Sequence, residues 1–247
     1  MPPTIDLLIP ESINRNRPAA CRAAVRLIER RGFSVSLPAL PQNFGNTAFD
    51  AGHLEQARQD VRHVLQSFHP DSLHNPVLTL DPRLVPFMRR HYSALAPDSA
   101  AETAAHLAHH VQDISWWLAD HSLPLSASDR NPQPAAFLSA CSARYGSHAE
   151  AHVSQWLNTL PLAISPVLPP DRCCAYDPLF SQSEPKISRQ LFDEILHAIN
   201  GHAAATVITL DPICVIQLQQ YAQKRQQPLT LTTLLEWLDQ WEQAAIG

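Results

Sequence analysis

Two thirteen-residue segments, PVLTLDPRLVPFM at 76–88 and TVITLDPICVIQL at 206–218, share one frame and set the architecture of the chain. Each runs from a β-branched and aliphatic stretch through Leu-Asp-Pro into an apolar helical pattern, with Asp81 and Asp211 standing 130 positions apart. The start of each half agrees within one residue, IDLLIP at 5–10 lying against AFLSAC at 136–141. A duplicated βα unit is the simplest reading, to which a shared βα rhythm also contributes.

Periodicity fills in that frame. Short apolar runs predict strands at 5–9, 35–37 and 77–80, alternating with helices at 18–31, 53–68 and 82–95. Pro18 suits a first helical turn and Gly32 a left-handed C-terminal cap. A longer amphipathic helix is expected over 100–121, carrying Leu107, Val111, Ile114, Trp117 and Leu118. The Pro- and Ser-rich stretch 123–134 reads as a linker. The rhythm then restarts, with strands at 135–140, 162–167 and 206–210 and helices at 147–160, 186–200, 212–224 and 231–245; 168–184 is read as loop. The fold class is therefore α/β: two pseudo-duplicated halves with parallel strands and flanking helices, residues 1–122 and 135–247.

The cysteines break the symmetry. Four of five, Cys141, Cys173, Cys174 and Cys214, lie in the second half. At the repeat offset Asn43 and Phe44 stand opposite Cys173 and Cys174 and Leu84 opposite Cys214, and one residue beyond that offset Pro10 stands opposite Cys141. Each of the four falls at or after the carboxyl end of a predicted strand, where parallel sheets build their sites. Four thiolates match an iron–sulfur cluster, because soft donors suit iron and each offsets core charge. Zinc is the rival, although its structural sites use cysteines two to four residues apart, a spacing missing here. Taken singly, a cysteine is more often a small buried hydrophobe, and Cys21 beside Val25 is left in that class.

Composition excludes several functions. The net charge is -5, from 18 Lys plus Arg against 23 Asp plus Glu, and the basic residues are scattered, so no nucleic-acid surface is expected. There is no apolar run of about eighteen residues and no secretory signal pattern, so no membrane span is expected either. An odd cysteine count without an export signal points to reduced thiols and a cytoplasmic location. Six glycines and no phosphate-binding glycine loop give no support to a nucleotide cofactor. His106, His109 and His110 read as the polar side of their helix, and the Trp116-Trp117, Trp237 and Trp241 set as core or interface stripes. Asp81 and Asp211, each before Pro, read as helix caps.

The arrangement Cys141, Cys173-Cys174, Cys214 on a twice-repeated frame resembles the cysteine-rich domain family defined by CCG motifs. That family includes the LutA-type lactate-utilisation proteins, the iron–sulfur subunit of glycolate oxidase and the B subunit of heterodisulfide reductase. The segments AVRLIERRG at 24–32 and FGNTAFDAG at 44–52 look like LutA-type VELLERLG and CGQPAYNSG, which places Phe44 on a family cysteine. The resemblance covers essentially the whole chain. It implies one [4Fe–4S] cluster on Cys141, Cys173, Cys174 and Cys214, and none in the first half, where Pro10, Asn43, Phe44 and Leu84 replace the ligands. Asp211 stands where some members have a further cysteine, Ala175 where the motif has Gly, and Ser142 where LutA-type chains have His. The implied function is electron transfer in oxidation of a 2-hydroxy acid such as L-lactate, as an oxidoreductase component working with other subunits of a lactate or glycolate oxidation complex. A degenerate, non-redox structural or regulatory partner is the alternative, and thiol–disulfide chemistry on a substrate a third.

Overall fold

The structure is a computed structural model that describes residues 2–39, 41–68, 74–123, 135–161, 164–169, 172 and 178–246. The chain forms two compact units, Met1–His121 and Ser122–Gly247.

In the first unit β1 (Thr4–Leu8) leads into the short α1 (Glu11–Asn16) and then α2 (Pro18–Arg30). Pro18 occupies the first turn of α2, where its missing N–H leaves no helical bond unmade. Gly32, at φ 81°, ends it by donating its N–H to the Glu29 carbonyl at 2.9 Å. The face carrying Ala20, Ala24, Leu27 and Ile28 is fully buried. Then follow β2 (Ser34–Ser36), α3 (Asn46–Asp50), α4 (Leu54–Gln66), β3 (Val77–Thr79), α5 (Leu84–Leu95), α6 (Ala101–His110), β4 (Val111–Asp113) and α7 (Ile114–Asp120). All strand pairs are parallel, in the order β2-β1-β3-β4, with Leu8 level with Thr79 and Thr79 level with Asp113.

The second unit repeats the order. Its elements are β5 (Ala135–Phe137), α8 (Ala149–Leu157), β6 (Ile164–Pro166), α9 (Pro178–Ser183), α10 (Pro185–Gly201), β7 (Thr206–Thr209), α11 (Pro212–Lys224), β8 (Leu231–Thr233) and α12 (Leu234–Ile246). The parallel sheet runs β6-β5-β7-β8, with Phe137 level with Ile208 and Thr209 level with Thr233. The α/β class with two βα halves is therefore the observed one.

Two helices expected to be continuous are not. The stretch 100–121 contains β4, because Val111, Gln112 and Asp113 pair with β3 and Asp113 then caps α7 by accepting from the Ser115 N–H at 2.7 Å. The last helix likewise begins only after β8. Thr233 and Glu236 close a reciprocal capping box there, Glu236 N–H to Thr233 Oγ1 at 3.2 Å and Thr233 N–H to Glu236 Oε2 at 3.3 Å. In both places a three-residue strand sits at apolar spacings that a helix also satisfies. The expected loop at 168–184 ends in α9.

The strand order fixes where a site forms. From β1 the chain steps to β2 on one side and β3 on the other, so the crevice at the carboxyl ends of β1 and β3 is a topological switch point. The β5–β7 crevice is its counterpart in the second unit.

Candidate functional site

Two of the four expected thiols lie at the second switch point. Cys141 follows β5 and is partly exposed, while Cys214 follows β7 and is 4% exposed; both are reduced. Cys214 sits in the first turn of α11, where the N-terminal end of the helix dipole favours a negatively charged ligand.

Hydrogen bonds lock the turns that carry them. Asp211 caps α11, its Oδ1 accepting from the Ile213 N–H at 2.7 Å, and its Oδ2 accepts from the Ser142 hydroxyl at 2.6 Å. This bond ties the residue after Cys141 to the turn before Cys214. Residues Ser142–Gly146 form a single π-helical turn, closed by the Ser147 N–H donating to the Ser142 carbonyl at 2.9 Å. Such turns recur at functional sites because they re-aim a side chain within one step. His148 then takes a left-handed φ of 60° before α8 starts.

Glu150, 4% exposed, reaches back from α8 beneath this turn. The Ser139 hydroxyl lies 2.8 Å from both carboxylate oxygens, the Ala140 N–H donates at 3.2 Å, and the Arg144 guanidinium lies 3.3 Å away. A buried carboxylate is tolerable only with such compensation. Glu150 thereby fixes the two residues preceding Cys141. Sequence reasoning missed it, since eleven positions separate Glu150 from Ser139 and only the tertiary turn joins them.

The first switch point has the same frame and different contents. Asp81 accepts from the Arg83 N–H at 3.0 Å, as Asp211 does from Ile213, but its Oδ2 meets the Arg83 guanidinium at 2.7 Å. Phe44 and Leu84, which stand opposite Cys174 and Cys214, are 3% and 1% exposed. They belong to an apolar cluster with Val61, Phe87, Met88 and Tyr92. The Tyr92 hydroxyl donates to the Phe44 carbonyl at 3.0 Å, and burial, with the Asp60 charge, raises its pKa far above that of an ordinary phenol. Gly45 has φ 92°, and a Cβ there would lie 3.0 Å from both the Ala57 carbonyl oxygen and a Val61 methyl. Glycine at that position is a steric requirement of the apolar packing.

Cys173 and Cys174, with Ala175, lie outside the described residues. Among the described residues, no group of three or more His, Cys, Asp or Glu side chains is placed to hold a metal. The two described thiols, in the turns that follow adjacent strands, are soft donors of the kind that suit an iron–sulfur cluster. The cap expected at Asp211 is present, whereas Asp81 holds the turn before α5, which starts at Leu84 with Arg83 in the N-cap position and no side-chain cap. His109 and His110 are exposed and His106 is half-buried. Trp117 is buried against Phe33 and stacks on His121 at 4.1 Å. No helix among the described residues is long and apolar enough to cross a membrane.

No protein-family model matches the chain. It is 22% identical over 226 residues to lactate utilization protein A of an Exiguobacterium species, covering 90% of this chain and 91% of that one. It is also 22% identical over 239 residues to lactate utilization protein A of Bacillus pumilus, covering 95% and 98%, and 22% identical over 222 residues to that of a Geobacillus species, covering 89% and 92%. Among solved structures, a putative Asp/Glu racemase from Yersinia pestis aligns over 99% of this chain and 100% of that one, at 6% identity and a TM-score of 0.38, below the level at which a shared fold follows.

Proposed function

We propose that the chain is an iron–sulfur electron-transfer subunit of a system that oxidises a 2-hydroxy acid, L-lactate foremost, with the carbon chemistry carried out on partner subunits. Cys141, Cys173, Cys174 and Cys214 are its thiolate ligands. The observation that carries this reading is that the turns bearing Cys141 and Cys214 follow adjacent strands and are tied by the Ser142–Asp211 hydrogen bond, with Glu150 bracing the first of them. Relatives named lactate utilization protein A, each matched along nearly its whole length, support the substrate class. When bound, a cluster supplies reversible one-electron transfer. The chain's own part is to present thiolates, to hold the Cys141 turn rigid through Glu150, and to keep the Asp211 carboxylate engaged by Ser142 and Ile213.

The first unit acts in this proposal as scaffold or docking surface, its switch point being filled with apolar side chains. That filling also favours a second reading, in which the whole chain has lost redox chemistry and serves as a structural or regulatory partner. The two readings separate in a variant with Cys141, Cys173, Cys174 and Cys214 all changed to Ser. Electron transfer predicts that anaerobically purified wild type has visible cluster absorption which the variant lacks, and that the variant fails to support growth on lactate. Identical spectra and identical growth would leave the structural reading standing.

A further inference from the structure

A concave site of about 330 Å³ opens in the first unit, whose sequence holds none of the cysteines of the proposed cluster. Ile9, which follows β1, Leu37, which follows β2, and Pro18, Cys21 and Val25 of α2 form its apolar wall. Asn14, Arg22 and Arg26 are the polar residues of its lining, and no acidic residue lines it. Its size falls at the lower end of small-molecule sites, which run from about 300 to 1,000 Å³ and are mostly apolar with a few placed polar groups.

The two arginines lie one helical turn apart on α2 and both line the site, Arg26 with an interaction of its own within the chain. Arg22 is exposed and makes no hydrogen bond or ion pair with any described residue. Leu37 is 59% exposed and leaves an apolar face for a ligand to cover. An apolar wall under a doubly cationic rim complements one kind of molecule, an apolar body ending in an anion. Lactate is too small and too polar to use that wall.

We infer that this site binds a carboxylate with an extended apolar chain, the carboxylate meeting Arg22 and Arg26 and the chain lying over Val25, Ile9 and Leu37. Charge-assisted contacts to guanidinium are among the stronger polar contacts, and they distinguish this ligand from a neutral amphiphile of the same length. The inference does not rest on the iron–sulfur reading and stands or falls separately from it.

Decanoate is the probe, titrated calorimetrically into the full chain, with decanol as the neutral control. Decanoate should bind at one site per chain, with decanol about ten-fold weaker or more, a difference of about 1.4 kcal/mol. Arg22→Gln should weaken decanoate about ten-fold while leaving the melting temperature and decanol binding unchanged, because Arg22 has no described partner to lose. Leu37→Ser should weaken both probes, and bound decanoate should slow alkylation of Cys21, read by peptide mass spectrometry. Equal binding of decanol and decanoate, or decanoate binding unaffected by Arg22→Gln, would overturn the inference. So would failure of decanoate in a protein that binds a short peptide of apolar and acidic residues at the same place, which would assign the groove to a partner chain.

Discussion

At the crevice between β1 and β3 the side chains are Phe44, Leu84, Phe87 and Tyr92, while at the equivalent crevice between β5 and β7 they are Cys141, Ser142, Asp211 and Cys214, with Glu150 beneath. The strand order is the same, and so is the aspartate whose Oδ1 accepts from the N–H two residues on, although only Asp211 caps its helix. Even the threonine two residues before it is repeated: Thr79 Oγ1 accepts from the Asp81 N–H at 3.1 Å, whereas Thr209 Oγ1 is buried with no hydrogen-bond partner among the described residues. One frame thus supports two different interiors. Where apolar side chains fill the switch point, stability comes from packing and the crevice is closed to ligands. Where the residues are polar, Ser139, Ser142, Glu150 and Asp211 are held by specific hydrogen bonds, with Cys141 partly exposed and Cys214 buried beside them.

Changes that disturb each filling separate the two. The largest expected effect is Gly45→Ala, which places a methyl 3.0 Å from a backbone oxygen and forces L-residue geometry at φ 92°. Left-handed strain and overpacking together should destabilise the first unit by about 2–4 kcal/mol in urea unfolding. Glu150→Ala comes next. It leaves the Ser139 hydroxyl and Ala140 N–H without their acceptor and should cost about 2–3 kcal/mol. It should also raise the rate at which Cys141 is alkylated, a readout that loss of stability in the first unit would not move. Tyr92→Phe removes one buried hydrogen bond to the Phe44 carbonyl and should cost about 1–2 kcal/mol without altering any cysteine's reactivity. Asp211→Ala removes a helix cap and should cost about 1 kcal/mol, again with faster alkylation of Cys141 and Cys214.

The smallest effect is one of pH. His106 has its pKa lowered, chiefly by burial and then by His110, with His74 adding to the shift, while a hydrogen bond to the Asn75 backbone and the Asp6 charge oppose it. A histidine with a depressed folded pKa is protonated first in the unfolded chain. Its contribution to stability is therefore present above the unfolded value of about 6.5 and declines as pH falls below it. His106→Gln removes that dependence. The melting temperature of the variant should fall less steeply than that of wild type between about pH 7 and 5.

Much of the frame was legible because it depends on local chemistry. Leu-Asp-Pro reports a strand end, a cap and a first helical turn within three residues, and the second copy folds that way, whereas in the first Asp81 and Pro82 lead through a turn into α5 at Leu84. Pro18 and Gly32 bracket α2 for equally local reasons. The strands β4 and β8 were hidden, because Val111 and Leu231 occupy positions that an amphipathic helix also makes apolar. Only pairing with β3 and β7 decides between the two. The replacement of cysteines by Phe44 and Leu84 was visible, but not that Tyr92 and Gly45 had become part of the same filling. Nor could the Glu150 brace be read, since it depends on the π turn at Ser142–Gly146, which places distant residues in contact.

The asymmetry itself is most directly measured as iron and acid-labile sulfide per chain, on protein purified without oxygen, together with its electron paramagnetic resonance spectrum. One occupied unit predicts about four irons and four sulfides per chain, lost when Cys141 and Cys214 are changed to Ser. No iron after attempted reconstitution, or iron that survives those two substitutions, would contradict the account.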